Sequence, residues 1–312
     1  MTASTMKAVR IHQYGGRDQL KSDVVPIPAP GAGDVLVKIH AAALNPVDCK
    51  VREGKLAGMN LHTLPLILGW DFAGEIVAKG EQVGDWAIGD EVFARPNIAR
   101  DGSYAEYIVA DANEIARKPK TASWQQAAAL PLTSLTAWQV LFDKAQLKQG
   151  ERVLIHAGAG GVGHIAIQLA KHAGAYVVST CSTANVDFVR SLGADEVIDY
   201  TKRDFSALRD LDVVFDTLGA EVLAKSWQTL KKGGRLVSII QTPDADSAAR
   251  AEVDAQFWFV QPNAEQLSKI AKLFDDGKLR VELSQVLALD DIQRGHELLE
   301  SGHTRGKIVL GF

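Results

Sequence analysis

Cysteine is nearly missing from this chain: Cys49 and Cys181 are all it has. A disulfide framework is thereby excluded, and so is a four-cysteine structural zinc lobe. Long apolar runs are missing too. No stretch approaches the ~18 consecutive apolar residues of a membrane-spanning helix, and the opening Met1-Thr-Ala-Ser-Thr-Met-Lys7 has no signal-peptide core. A cytoplasmic protein with no membrane partner is expected. Basic excess is absent as well, since the net charge of −4 gives no electrostatic reason to expect nucleic acid or an anionic surface. Repeats and low-complexity tracts do not stand out. What is left is an ordinary balance, 46% hydrophobic and 23% charged over 312 residues, enough chain for two domains with cores of their own.

The most informative stretch present is Arg152-Val-Leu-Ile-His-Ala-Gly-Ala-Gly-Gly-Val-Gly163, running into His164-Ile-Ala-Ile-Gln-Leu-Ala-Lys171. Val153 to His156 suit a buried strand. Ile165, Leu169 and Ala173 recur at helical spacing, and between the two lie Gly158, Gly160 and Gly163 in G-x-G-x-x-G order. Strand, tight turn and helix are the context that makes these glycines a dinucleotide fingerprint rather than a ligand-free βα turn. The first permits the turn and the second lets backbone approach a pyrophosphate. The third lets the helix pack on the strand with its free N–H groups toward the phosphates. From 152 onward the pattern alternates, with strands at 176–180, 196–199, 213–216 and 236–240 and helical stretches between them. That is a doubly wound parallel sheet, to which 257–260 would add a sixth strand.

Residues 1–120 read differently. Short β-prone runs at 7–11, 34–41, 72–78, 90–94 and 104–109, divided by turn residues such as Pro28-Ala-Pro-Gly31 and Arg100-Asp-Gly102, predict a barrel or sandwich. Ser123-Trp-Gln-Gln126 fits a capping box opening a helix that Pro131 closes, and a second helix spans 133–142. Beyond the sheet, Pro262-Asn263 starts a helix over 264–276, a short amphipathic helix covers 290–300, and a last strand at 307–310 most naturally rejoins the first domain. The expected division is 1–122 with 278–312, and 123–277.

Taken in order, several segments carry a resemblance: Leu44-Asn-Pro-Val-Asp48, Gly69-Trp-Asp-Phe-Ala-Gly74, Gly89-Asp-Glu-Val92 and Ser103-Tyr-Ala-Glu-Tyr107 in the first half. Gly150-Glu-Arg-Val-Leu154, the glycine turn, Gln168, Lys171, Asp212-Val-Val-Phe-Asp216 and Gly306-Lys307 follow. Over nearly its whole length the chain resembles the medium-chain dehydrogenase/reductase superfamily. Within it the likeness is to zinc-independent quinone oxidoreductases and ζ-crystallin, including plant enone and alkenal reductases. The resemblance implies an α/β protein with a GroES-like β-barrel catalytic domain and a nested Rossmann cofactor domain. Zinc-dependent relatives carry Gly-His-Glu where this chain has Gly69-Trp70-Asp71, and Cys49 alone lies near the first ligand position. Too few soft ligands remain for zinc. No metal is expected, and Cys49 reads as a small buried residue.

Without a metal Lewis acid, an alcohol-to-ketone hydride transfer lacks the stabiliser of its alkoxide. Addition to an enone or a quinone instead spreads charge onto an oxygen that a few hydrogen-bond donors can hold. NADPH-dependent reduction of quinones or of C=C bonds conjugated to a carbonyl is the expected function. Two others stay open, an NADPH-binding crystallin-like protein with little turnover and a zinc-type alcohol dehydrogenase.

Asn45, Asp48 and Lys50 follow a barrel strand, where the resemblance puts the nicotinamide and its ribose. Lys50 holds the place of a lysine that contacts the cofactor in plant-type enone reductases; a solvated lysine beside a structural Asn-Pro turn is the alternative. Thr133 offers a hydroxyl near the nicotinamide or, like Thr136, a helix-packing contact. His156 and His164 flank the fingerprint and read as packing or solvated side chains. Beyond Gly158, Gly160, Gly161, Val162 and Gly163, the resemblance extends cofactor contact to Gly219, Ile240, His303 and Thr304.

Cofactor choice turns on the end of the second strand, where an NAD-selective sheet places an acid about 20 residues past the glycines. From His164 to Val186 there is none. Ser182, Thr183, Asn185 and Tyr200 stand there instead, and the resemblance makes them the 2′-phosphate pocket of NADPH, although relatives often carry Lys in place of Asn185. An ordinary helix N-cap is the other reading of Ser182-Thr183. Finally, the apolar run Phe257-Trp-Phe-Val260, read as the terminal strand, predicts a homodimer joined through the sheet edge. Cover within one subunit by the helix from Ala264 is the alternative.

Overall fold

A computed structural model of the chain describes residues 4–312, and it separates into two compact units. The first holds the described residues up to Leu132, Gln261–Gly277 and Val281–Phe312; the second holds Thr133–Val260 and Lys278–Arg280. In chain order the first unit supplies β1 (Thr5–Ile11), β2 (Lys21–Pro26), β3 (Asp34–Ala43), α1 (Pro46–Arg52), β4 (Leu66–Ile67), β5 (Phe72–Lys79), β6 (Glu91–Ala94), β7 (Tyr107–Asp111), β8 (Ile115–Arg117) and α2 (Trp124–Ala129). The boundary falls inside α3 (Pro131–Trp138).

The second unit continues with β9 (Arg152–Ile155), α4 (Gly163–His172), β10 (Tyr176–Cys181), α5 (Val186–Ser191), β11 (Glu196–Asp199), β12 (Leu211–Asp216), α6 (Ala220–Ser226), β13 (Leu230–Ser238), α7 (Ala245–Ala251) and β14 (Asp254–Phe257). The chain then returns to the first unit as α8 (Ala264–Asp275), β15 (Leu283–Ala288), α9 (Ile292–Glu300) and β16 (Lys307–Gly311).

Two sheets organise the first unit, β2-β1-β4 and β15-β16-β3-β5-β6-β8, with β7 also on β3. Strand β3 is the hub. One edge takes β5 throughout, while the other takes β7 along Asp34–Lys38 and β16 along Ala41–Ala43. The last strand therefore does rejoin the barrel. Helices α2 and α8, assigned by sequence to the nucleotide-binding part, group with this unit: α2 packs on β3 and β5, α8 packs on β8, and Asp275 at the end of α8 accepts from the N–H groups of Lys120 and Thr121 at 3.1 and 2.9 Å.

The second unit is a six-stranded parallel sheet in the order β11-β10-β9-β12-β13-β14. Parallel strands are covered on both faces and read as continuous apolar runs, and β12 is buried from end to end. One side of its core gathers Leu154, Val178, Ile198, Val214 and Leu236 from five strands. The order reverses between β9 and β12, the position at which open α/β sheets bind ligands at their carboxyl ends.

Two predicted strands are displaced. The run at 104–109 is regular strand only from Tyr107, because its first residues bond to β1 instead, Val9 N donating to Tyr104 O at 2.7 Å and Glu106 N to Lys7 O at 3.1 Å. The sixth strand is Asp254–Phe257 rather than 257–260. Trp258 still donates its backbone N–H to Ser238 O at 2.9 Å, while its indole N–H goes to Gln139 Oε1 at 2.9 Å, with Lys144 Nζ 3.8 Å from its ring centroid. No helix among the described residues is long and apolar enough to cross a membrane.

Candidate active site

In the first unit, the Asn-Pro step after β3 decides the geometry. Pro46 opens α1, where its missing N–H costs nothing, and it biases Asn45 toward the extended backbone observed, φ −136° and ψ 151°. Asp48 then folds back, so that its Oδ2 accepts from Asn45 N and from the Tyr104 hydroxyl, both at 2.7 Å. The Tyr104 ring lies against Gly69, at φ 91°, where a Cβ would come within 2.4 Å of it. Asn45 Nδ2 donates to Asp71 Oδ2 at 2.8 Å, and Leu132 N donates to Asp71 Oδ1 at 2.7 Å. Lys307, from the start of β16, donates its ammonium to Leu44 O at 2.9 Å, to Asn45 Oδ1, and to Asp71 Oδ2 at 3.4 Å.

Asn45, Asp48, Asp71 and Tyr104 are fully buried and Lys307 is 3% exposed. Burial dominates their ionisation. It pushes the carboxyls of Asp48 and Asp71 up to about 7 and about 6, and it lowers the Lys307 ammonium from its ordinary range. Lys307 and the donors on each carboxylate hold the acids back from rising further. Two carboxyls share one ammonium. The other oxygen of Asp48, Oδ1, is buried with no hydrogen-bond partner.

Lys50 lies on the same short helix but is only partly buried. His303, after α9, is exposed, and the Thr304 hydroxyl donates to Leu298 O at 3.1 Å, which binds it to the end of that helix. Cys49 is buried as expected, with Sγ 3.3 Å from His296 Nδ1. Cys49, His296 and Glu300 approach one another as metal ligands would, but they do not suit zinc. The Arg52 guanidinium already sits there, 2.9 Å from His296 Nδ1 and 2.7 Å from Glu300 Oε1. Burial also raises the Cys49 thiol to about 12.

In the second unit, the three fingerprint glycines divide by function. A Cβ on Gly158 would meet Ser179 Oγ at 2.2 Å, and one on Gly163 would meet Ala157 O at 2.2 Å. These two are demanded by the fold. A Cβ on Gly160 would meet one neighbour, Ala157 O at 3.3 Å, and otherwise open space. That cradle, together with partly buried Gly161 and Val162 before α4, fits a pyrophosphate approached by backbone. The flanking histidines are structural. His164 Nδ1 pairs with Gly160 O at 2.8 Å, and buried His156 lies between Thr180 Oγ1 at 3.2 Å and Ser226 Oγ at 3.1 Å.

At the neighbouring strand ends, Asp216 accepts from Leu218 N at 3.1 Å and Gly219 N at 2.9 Å. A Cβ on Gly219, φ 72°, would lie 2.8 Å from Ile240 Cγ2, so these two predicted contacts are adjacent. Thr133 and Thr136 are buried in α3. At the end of β10, Asn185 Nδ2 donates to Ser182 Oγ at 3.1 Å and Tyr200 N to Cys181 O at 3.1 Å, which gathers Ser182, Thr183, Asn185 and Tyr200. Sequence reasoning missed Asp199, whose carboxylate accepts from the Thr183 hydroxyl at 2.7 Å. The signal was present: a predicted strand at 196–199 ending on an acid beside the second strand. Asp71, Tyr104 and Lys307 were also unassigned, although each lies in a segment that carried the resemblance.

Comparison with known proteins agrees with this arrangement. A family model described as an alcohol dehydrogenase GroES-like domain matches residues 31–120, and one described as a zinc-binding dehydrogenase matches residues 192–310. The chain is 38% identical to a 2-methylene-furan-3-one reductase of Solanum lycopersicum, over 98% of this chain and 79% of that protein. It is 37% identical to an NADPH-dependent alkenal/one oxidoreductase, chloroplastic, of Arabidopsis thaliana, with the same two shares, 98% and 79%. Among solved structures it superposes on a quinone oxidoreductase from Coxiella burnetii with a TM-score of 0.92 and 39% identity, covering 99% of each chain.

Proposed function

The chain belongs to the medium-chain dehydrogenase/reductase superfamily, in its quinone-oxidoreductase-like branch, and from that premise we propose that it reduces quinones or C=C bonds conjugated to a carbonyl with NADPH and without zinc. The observation that carries the zinc-free chemistry is Lys307. Its ammonium already occupies the oxygens of Asn45 and Asp71, beside Trp70, which stands where a Gly-His-Glu motif would supply a histidine. An amide, a carboxyl and an ammonium are a poor set for zinc. Acceptors whose developing charge is delocalised need no Lewis acid, only hydrogen-bond donors.

A nicotinamide dinucleotide supplies the hydride. The backbone at Gly160, Gly161 and Val162 would hold its pyrophosphate, and Gly219 and Ile240 would leave an open apolar wall. Ser182, Thr183, Asn185 and Tyr200 would bind the adenosine ribose, with hydroxyls and an amide in place of the usual acid on the second strand. Lys50, His303 and Thr304 are further proposed contacts to the cofactor, and Thr133 would place a hydroxyl near the nicotinamide. Asn45 and Asp48 act as positioning residues, because the Asn45 amide and Oδ2 of Asp48 are engaged in the buried network that fixes α1 and with it Lys50. Oxidation of NADPH by a panel of quinones and short enones, before and after exhaustive chelation, tests the proposal. Turnover unchanged by chelation is the expected result; tight NADPH binding with no turnover, or activity restored only by zinc, would overturn it.

Lys50→Ala is expected to weaken NADPH binding by roughly 1.5–3 kcal/mol, the worth of a charge-assisted hydrogen bond, and to lower turnover with every acceptor. Kinetics equal to wild type would return Lys50 to the solvated surface.

We also propose a homodimer. β14, Asp-Ala-Gln-Phe, ends the sheet with its edge unpaired among the described residues, Phe257 on it is 40% exposed, and an open sheet edge is ordinarily covered or paired. Because Trp258 is held by Gln139 and Lys144 of its own unit, the seam is better probed at Phe257. Light scattering at micromolar concentration should report a dimer that Phe257→Asp dissociates. A monomeric wild type would refute it.

A further inference from the structure

The ribose end of the second unit carries a fixed charge. β10 and β11 run parallel with Cys181 opposite Asp199, so the last residue of β11 lies beside the last residue of β10. An NAD-selective sheet keeps its acid at that same strand end, supplied by the second strand itself. Asp199 is well anchored there. The Thr183 hydroxyl donates to its Oδ2 at 2.7 Å, and the Thr201 hydroxyl and N–H donate to its Oδ1 at 2.7 and 3.1 Å. These bonds, that of Thr183 foremost, hold the carboxyl down to about 2, so it is ionised at any working pH. Among the described residues the cation within ion-pair reach is Lys202, 3.4 Å away with a side chain 68% exposed. Asn185 brings no charge.

Two consequences follow for a ligand at this strand end. The Thr183 hydroxyl is already engaged, donating to Asp199 and lying 2.9 Å from the Thr201 hydroxyl, so it has little donor capacity left for a phosphate. A 2′-phosphate carries roughly −1.5 to −2 near neutrality, and like charges in juxtaposition lower affinity. A ribose 2′-hydroxyl instead finds an acceptor. Resting on the assignment of this unit as the dinucleotide domain, we propose that Asp199 is a specificity-determining residue that restrains NADPH binding and accepts from the 2′-hydroxyl of NADH, so that the chain takes both cofactors.

Equilibrium binding to the full chain tests this, with NADPH, NADH, 2′,5′-ADP and 5′-ADP as ligands. Wild type should bind NADPH and NADH within about tenfold of each other. Asp199→Asn should tighten NADPH and 2′,5′-ADP by about tenfold while weakening NADH and 5′-ADP, whose 2′-hydroxyl loses a charged acceptor, by about threefold or more. Equal shifts for all four ligands, which a purely structural role would give, or no shift at all, would overturn the proposal and leave the dinucleotide assignment standing. A wild type that binds none of the four would overturn the assignment and the proposal with it. Asp199→Ser, which also removes the charge, carries the same expectation should the Asn variant fail to fold.

Discussion

Gly160→Val should yield a folded protein that has lost both NADPH and NADH. The added Cβ meets one tight contact, Ala157 O at 3.3 Å, which a shift of a few tenths of an ångström in the turn relieves, so thermal stability should stay close to wild type. The branched side chain would nevertheless fill the space through which backbone N–H groups reach a pyrophosphate. Two charge-assisted hydrogen bonds at about 1.5–3 kcal/mol each amount to a loss of at least about 100-fold in affinity. Gly163→Val is the contrasting control. Its Cβ would lie 2.2 Å from Ala157 O and 2.9 Å from Gly158 Cα, a backbone collision that only a shift of the turn relieves, so that variant should lose about 1–3 kcal/mol or more of stability. Calorimetric titration beside a thermal melt separates the two. Retained NADPH affinity in folded Gly160→Val would remove the cofactor from this turn.

That separation was legible because everything it needs is local. Strand, turn and helix lie within residues 152–172, and the apolar spacing and the glycine spacing agree. The parallel sheet followed from the same alternation, and β16 was placed with the barrel. What escaped was short or distant. β2, β4, β8 and β15 are edge strands, or are two to three residues long, or both, with too little periodicity to read. The displaced sixth strand shows apolar content misleading: Trp258 is large and apolar, but its indole N–H found Gln139. The buried network around Asn45 joins partners 26, 56 and 262 positions apart, and no window of sequence contains it. Asp199 escaped for a related reason. The rule sought an acid along the second strand, whereas lateral register supplied one from the third.

The network's energetics give the second large effect. Lys307→Met would remove the ammonium that two buried carboxyls share, and breaking a buried pair by deleting one partner costs about 3–5 kcal/mol. The pH dependence distinguishes this cause from lost packing. Asp48 and Asp71 have folded pKa values raised above their unfolded value of 3.8, to about 7 and about 6. The native state therefore holds protons that the unfolded state has released, and stability falls as pH rises from about 4 through these folded values. Wild type should accordingly lose on the order of 4 kcal/mol between pH 5 and pH 8. In Lys307→Met the carboxyls lose one counter-charge and keep only the attraction of buried Arg95, so they titrate higher still, and the deficit relative to wild type should be largest at pH 8 and shrink toward pH 5, where protonation neutralises them. Asp71→Asn added to Lys307→Met should recover part of the loss at pH 8, since a neutral amide no longer asks for a cation. Denaturant unfolding of the three proteins at both pH values measures all of these terms. A Lys307→Met deficit that is the same at pH 5 and pH 8, with no recovery on neutralising Asp71, would show that Lys307 contributes packing and not charge, and would withdraw the physical basis for reading its ammonium as the cation of this site.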